Sequence, residues 1–168
     1  SCITLTLRLC RNPLFAIASQ PIFKTEKEYR TMKRLLYETD KLKFENEYES
    51  TYLVDKLTDK ILLKDDFYGD PECALIDNKN QWAIVAGEHI TIWSLGKTER
   101  IENENLKWII KLRIKNEKTV EILVDPWSDF SAIWEINVET FQLNKIKDFN
   151  KYKDQPFITV SNHAYGHV

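Results

Sequence analysis

Glycine is scarce in this chain, with four in 168 residues. Phosphate-binding loops need glycines at fixed spacing, and the sequence contains no Gly-x-Gly-x-x-Gly, Walker-type or Gly-x-Ser-x-Gly pattern. The common nucleotide-binding loops and the nucleophile elbow of hydrolases are therefore excluded as sources of activity.

Cysteine is also rare, and the three present are Cys2, Cys10 and Cys73. An odd, widely spaced set is not a disulfide framework, and it favours reduced thiols in the cytoplasm. A bridge between Cys2 and Cys10 is open only for an exported chain. Residues 16–18 are similar to a signal cleavage site, but two arginines interrupt the apolar stretch before it. The sequence thus favours a cytoplasmic protein.

Neither sign of charge dominates, and no apolar stretch is long. The 24 basic and 26 acidic residues leave a net charge of −2, whereas nucleic-acid binders carry a basic excess. No apolar run approaches the roughly 18 residues of a membrane span. We therefore expect neither a nucleic-acid nor a membrane partner. The 43% hydrophobic content is enough for the core of a single domain over residues 1–168.

Residues that perform proton or metal chemistry are few. The histidines are His89, His163 and His167, and the last two lie in segment 161–168, which we expect to be a frayed tail. No persuasive Ser-His-Asp order and no Cys-x-x-Cys pair occurs. No catalytic residue, metal ligand or cofactor is assigned, and the sequence favours a protein that is not an enzyme.

The first half of the chain has the pattern of a strand followed by two helices. "CITLTLRLC" alternates as a strand does, and Thr25 to Glu28 read as a helix capping box. Rows spaced by four, led by Phe44 and by Leu53, predict a second helix, although residues 51–54 could instead be a strand. The helical part is expected over about 24–63.

Short β-rich runs separated by polar turns follow from about 73 to 160. They predict an antiparallel meander of about seven or eight strands on which the helices pack. The fold class is therefore α+β, with a sandwich or half-barrel as the alternative. Unequal spacing of the tryptophans disfavours a propeller.

The pattern also predicts the register of two hairpins. A two-residue Gly87-Glu88 loop would make Ala86 face His89, which becomes a structural residue at the start of a strand. In the next hairpin, apolar alternation selects the register with Ile114 opposite Val120 and places Arg113 opposite Glu121 on a charged face.

Two predicted loops are rich in acidic residues. If they meet at one sheet edge, their carboxylates could hold a hard cation or receive a basic protein. Trp127, in "DPWSDF", is either a core plug or an exposed anchor. The candidate partner-binding residues are Asp65, Asp66, Asp70, Glu72, Asp125, Trp127 and Asp129.

The segments "GDPECALIDNKNQWAIVAGEHITIW" and "DPWSDFSAIWEI", with the helical first part, resemble small α+β immunity proteins of bacterial toxin–immunity systems over about residues 24–160. The resemblance implies a non-catalytic module that binds and neutralises a basic toxin domain, and it assigns no residue. The alternative hypothesis is a small enzyme or metal-binding protein with its site at Asp66/Asp70 and Asp125/Asp129.

Overall fold

The computed structural model describes residues 33–156. The predicted N-terminal strand, the capping box and the tail 161–168 lie outside these residues. Within them, twelve strands form three four-stranded antiparallel sheets, and each sheet is a meander of consecutive strands.

Sheet 1 occupies the region predicted to hold the end of the first helix and the whole of the second. Its strands are β1 (Arg34–Glu38), β2 (Leu42–Glu47), β3 (Ser50–Asp55) and β4 (Ile61–Asp66). The α+β prediction is wrong here because a spacing of four also fits the two-residue period of a strand. Phe44 and Leu53 are buried opposite each other, whereas Leu57 is 91% exposed in the turn between β3 and β4.

Sheets 2 and 3 occupy the region predicted to be a meander. Sheet 2 contains β5 (Cys73–Ile76), β6 (Trp82–Ala86), β7 (Ile90–Ser94) and β8 (Lys97–Ile101). A short 3₁₀ turn (Glu104–Leu106) leads to sheet 3, with β9 (Ile109–Asn116), β10 (Thr119–Val124), β11 (Ala132–Asn137) and β12 (Leu143–Asp148). The antiparallel pairing is as expected, but these eight strands form two sheets.

Sheet 2 lies between the other two and is apolar on both faces. Ala83 and Val85 pack against the buried side chains of sheet 1. Ile84 and Ile92 pack on the other side against those of sheet 3. The core is therefore two apolar layers that share one sheet, and no helix covers either face within residues 33–156.

The first strands of the sheets lie side by side, β1 against β5 and β5 against β9. Four-stranded meanders that pack face to face with their first strands adjacent are arranged as neighbouring blades of a β-propeller are. The tryptophan spacing does not reveal this repeat, because the tryptophans do not occupy equivalent positions in the three sheets. Trp82 faces sheet 3, Trp93 faces sheet 1, and Trp108 lies in a connection.

The structure confirms one of the two register predictions and contradicts the other. Ile114 pairs with Val120 and Arg113 with Glu121, as predicted, although a bulge pairs Ile109 rather than Ile110 with Val124. The prediction of a two-residue Gly87-Glu88 loop is wrong, because Ala86 pairs with Ile90 across a three-residue turn. This shift of one residue exchanges the two faces of β7.

Candidate interaction face

Connections from all three sheets meet at one end of the structure. In antiparallel meanders alternate connections lie at the same end. Backbone hydrogen bonds extend the strand pairs of sheets 2 and 3 at this end, and one of them joins the two sheets. The amide of Glu72 donates to Ala86 (3.0 Å), that of Ile109 to Gly87 (2.8 Å), and that of Asp125 to Trp108 (2.9 Å). We call this end, formed by residues 48–49, 67–72, 87–89, 102–108 and 125–131, the loop face.

The loop face is strongly acidic. Its connections between residues 67 and 131 carry Asp70, Glu72, Glu88, Glu102, Glu104, Asp125 and Asp129. The basic residue in the same connections is Lys107. A surface of one sign attracts partners of the opposite sign and orients them on approach.

Four large aromatic side chains project from the same face. Tyr48 is 68% exposed, Tyr68 72%, Trp108 51% and Phe130 73%. Tyr48 and Trp108 hold left-handed backbone conformations, with φ of 54° and 60°, which are unfavourable for such residues. Exposed aromatics are enriched at binding hot spots. Sequence reasoning missed all four, because Trp108 fits a strand pattern and Tyr48 a helical one.

Beneath the loop face, His89 is buried in a polar network. Its Nε2 atom lies 2.8 Å from Oδ2 of Asp65, which also accepts a hydrogen bond from the Thr91 hydroxyl. Oδ1 of Asp65 accepts from Arg100 at 2.9 Å. The His89 ring stacks on Phe67 at 4.0 Å between centroids. This carboxylate partner comes from another sheet, so a search near residue 89 could not find it.

The network fixes the charge of Asp65. Burial alone would raise the pKa of this carboxyl. The hydrogen bonds from Thr91 and His89 and the charge of the nearby Arg100 lower the pKa by a larger amount, so it lies below the ordinary value. An ionised carboxylate only accepts hydrogen bonds, so His89 Nε2 must donate. The sequence predicted Asp65 to be an exposed partner-binding residue. In the structure its side chain instead points between sheets 1 and 2.

Gly87 allows the turn above this network to sit close to its neighbours. A Cβ atom at this position would lie 3.1 Å from Cα of Pro71 and 3.3 Å from Cδ1 of Phe67. The residue is therefore required for close packing rather than for the two-residue turn that the sequence suggested. Its carbonyl bonds to Ile109, so the Gly87–His89 turn connects sheets 2 and 3.

Three of the other predicted site residues are exposed at the edge of the loop face. Asp66 accepts a hydrogen bond from the Ser50 hydroxyl at 2.5 Å, and Asp70 and Glu72 lie in the connection between sheets 1 and 2. They keep the surface position that a partner-binding role requires.

The remaining predicted residues belong to the 125–131 connection. Asp125 accepts from the amide of Trp127 at 3.2 Å and so shapes the turn. Trp127 is half-buried against Tyr152, with 5.9 Å between ring centroids. Asp129 forms an ion pair with Lys153 at 2.7 Å, and this contact lowers its pKa. In the described chain, no three His, Cys, Asp or Glu side chains come together as metal ligands would.

The opposite end of the sheets contains a separate cleft of about 640 Å³. Tyr37, Ile76, Trp82 and Leu95 contribute to its lining. The Trp82 indole donates to the carbonyl of Glu117 at 3.0 Å, which ties sheet 2 to the first turn of sheet 3. This cleft lacks the strong excess of acidic residues found at the loop face.

Comparisons with known proteins leave the family open. No protein-family model and no curated protein matches the chain. Several solved structures are distantly similar, among them these two. A hydrazine synthase of Kuenenia stuttgartiensis has a TM-score of 0.48 and 15% identity over 65% of this chain. U3-55K has a TM-score of 0.46 and 10% identity over 68%. The chain spans 34% and 41% of those proteins, and the likeness is too distant to assign a function.

The described residues also contain no helix of the length and apolarity that crossing a bilayer requires.

Proposed function

We propose that this chain is a non-catalytic protein-binding module whose loop face docks a basic protein. The observation that carries the proposal is the coincidence of an excess of acidic residues with four exposed aromatic side chains at one end of the sheets. Charge orients an approaching partner, and buried aromatics supply most of the binding energy once contact is made.

An immunity protein is the specific form of this proposal. The resemblance of the sequence to bacterial immunity proteins implies a toxin domain as the partner, and the acidic loop face would suit a toxin with a basic surface. An acidic loop face would also suit basic proteins that are not toxins. The first experiment therefore tests whether the loop face binds a basic protein, and the identity of that protein is determined afterwards. A cytoplasmic location, favoured by the cysteine content, belongs to the same proposal.

The test uses the full chain as bait in lysate of its source organism. A loop-face variant, Tyr68→Ser with Trp108→Ser, is compared with a control at the opposite end, Leu57→Ser with Leu95→Ser. All four side chains are at least half exposed, so neither variant empties a core position. Captured proteins are quantified by mass spectrometry at low and moderate salt.

We expect a basic protein on the wild-type and control baits, at least tenfold depleted on the loop-face variant, and released as salt rises. The purified partner should show the same order of Kd values in titrations. Capture of no specific protein, or equal capture by the loop-face variant, would refute the proposal.

A further inference from the structure

The cleft of about 640 Å³ at the end opposite the loop face has largely apolar walls. Its lining takes Tyr37 from sheet 1, Ile76 and Trp82 from sheet 2, and Ile114 from sheet 3. The Trp82 indole N–H already donates to the carbonyl of Glu117, so this side chain offers the cleft only its ring surface. Cavities that bind small molecules typically measure about 300–1,000 Å³ and are mostly apolar, so this cleft has the size and walls of such a site.

The charged side chains of the cleft lining already have partners. Lys79 pairs with Glu117 at 2.7 Å, and Lys118 pairs with Glu139 at 2.9 Å. The buried Asp77 carboxylate accepts hydrogen bonds from three backbone amides of the turn that follows it. A charged ligand would have to break one of these contacts or lose its hydration without gaining a partner. The cleft therefore favours a neutral ligand.

Leu95 lies at the rim of the cleft in a costly backbone conformation. Leu95 and Gly96 form the two-residue turn between β7 and β8, and both have positive φ angles, 47° and 82°. Asn-Gly is the favoured pair for such a turn, whereas a leucine with positive φ is strained. The Leu95 side chain is 75% exposed, so the fold gains little from burying it. A strained residue that the fold does not require indicates a role in binding.

We propose that this cleft binds a neutral aromatic small molecule. The ligand's rings would lie against Trp82 and Tyr37, and Leu95 would cover them at the rim. An aromatic ligand gains from such contacts through burial of apolar area and through ring–ring packing. The assignment is independent of the proposed function, because the cleft and the loop face lie at opposite ends of the sheets.

The test uses two fluorescent dyes with the same ring system. N-phenyl-1-naphthylamine is neutral, and 1-anilinonaphthalene-8-sulfonate carries an added sulfonate. The full chain is titrated into a fixed low concentration of each dye while fluorescence is recorded, and NMR follows the Trp82 indole N–H signal. We expect the neutral dye to saturate a single site with a Kd of about 0.1 mM and to shift the Trp82 signal. The sulfonate dye should bind about tenfold more weakly, because its charge loses hydration without gaining a partner.

Two leucine variants separate binding from folding. Leu95→Asn should weaken binding of the neutral dye about fivefold, because the rim loses apolar contact area. Its free energy of unfolding should not fall, since asparagine suits the positive φ of this turn. Leu57→Asn is the matched control, because Leu57 is 91% exposed in a turn at the same end but outside the cleft lining. This control should leave the Kd of the neutral dye within about twofold.

Several outcomes would overturn the assignment. The cleft is not the site if the neutral dye fails to saturate or leaves the Trp82 signal unmoved. Equal affinity for the sulfonate dye would contradict the preference for a neutral ligand. An unchanged Kd in Leu95→Asn, or an equal loss in the Leu57→Asn control, would show that the rim makes no specific contact. If the neutral dye converts a dimer into monomers in analytical ultracentrifugation, the cleft is a contact between copies of the chain and not a small-molecule site.

Discussion

Replacing Asp65 with asparagine tests whether the His89 network holds sheets 1 and 2 together. The carboxylate accepts from four donors: the His89 ring, the Thr91 hydroxyl, the Arg100 guanidinium and the backbone amide of Asp66. An amide offers one oxygen and one NH₂ group. Whichever way it is oriented, its NH₂ group faces donors, so part of the network loses its acceptor.

The cost can be estimated from the burial of the site. The Asp65 side chain is 11% exposed and that of His89 is 3%, so water cannot replace the lost bonds fully. Two broken hydrogen bonds, one charge-assisted, and a buried donor left without a partner together cost about 3 kcal/mol. His89 could switch tautomer, but this would place a proton on the buried Nδ1 atom, which has no acceptor among the described residues.

Urea unfolding followed by tryptophan fluorescence measures this change. We expect the free energy of unfolding to fall by about 3 kcal/mol and Tm by about 6–12 °C. Asp66→Asn is the matched control, because its exposed side chain bonds to the Ser50 hydroxyl at the sheet edge, and should cost under about 0.5 kcal/mol. A loss below about 1 kcal/mol for Asp65→Asn, or no difference from the control, would refute a structural role for the network.

The same network sets a pH dependence. Because the folded pKa of Asp65 is lowered, its stabilisation is complete above the unfolded pKa of about 3.9 and is lost as pH falls through the folded pKa. Wild-type protein should therefore lose more stability than Asp65→Asn on acidification below about pH 4. Parallel acid titrations of the two proteins would contradict this assignment.

Three further changes are expected to separate the observed structure from its alternatives. Gly87→Ala should destabilise the protein by about 2 kcal/mol in urea unfolding, because the backbone of Pro71 cannot move away from the new methyl group; an unchanged midpoint would show that the turn adapts. Leu53→Ala should cost about 3 kcal/mol and Leu57→Ala under about 0.5, whereas a helix with both on its apolar face would make the costs similar. Cys73 is half-buried and burial raises the pKa of its thiol, so peptide mapping should find it modified by iodoacetamide much more slowly in native protein than in urea; equal rates in the two states would contradict the raised pKa.

The strands after residue 73 were predictable because their apolar residues alternate between short polar turns. The register of β9 with β10 followed from the same rule, since a slip would have placed apolar residues opposite Glu121. The helical prediction failed because the spacing of Phe44, Tyr48 and Tyr52 satisfies both periods. The chain turns at Tyr48, and this turn makes the region two strands instead of one helix. No local sequence pattern predicts the left-handed backbone of Tyr48.

The acidic loops could be recognised in the sequence, but which of their acidic side chains are buried and which are exposed could not. In β4, alternation places Asp65 on the same face as the buried Leu63, so recognition of this strand would have predicted an inward side chain. The partner His89 lies 24 positions away in another sheet. Contacts between sheets depend on packing, which a one-dimensional pattern does not record.

The backbone hydrogen bond between sheets 2 and 3 has a consequence for how the molecule opens. The amide of Ile109, at the start of β9, donates to the carbonyl of Gly87 in the turn that follows β6. Separating sheet 3 from sheet 2 would expose both groups as well as the apolar layer between the two sheets, so this separation should be one concerted step. The Ile109 amide should therefore exchange with deuterium as slowly as the amides at the centre of β6, although it lies at the end of its strand.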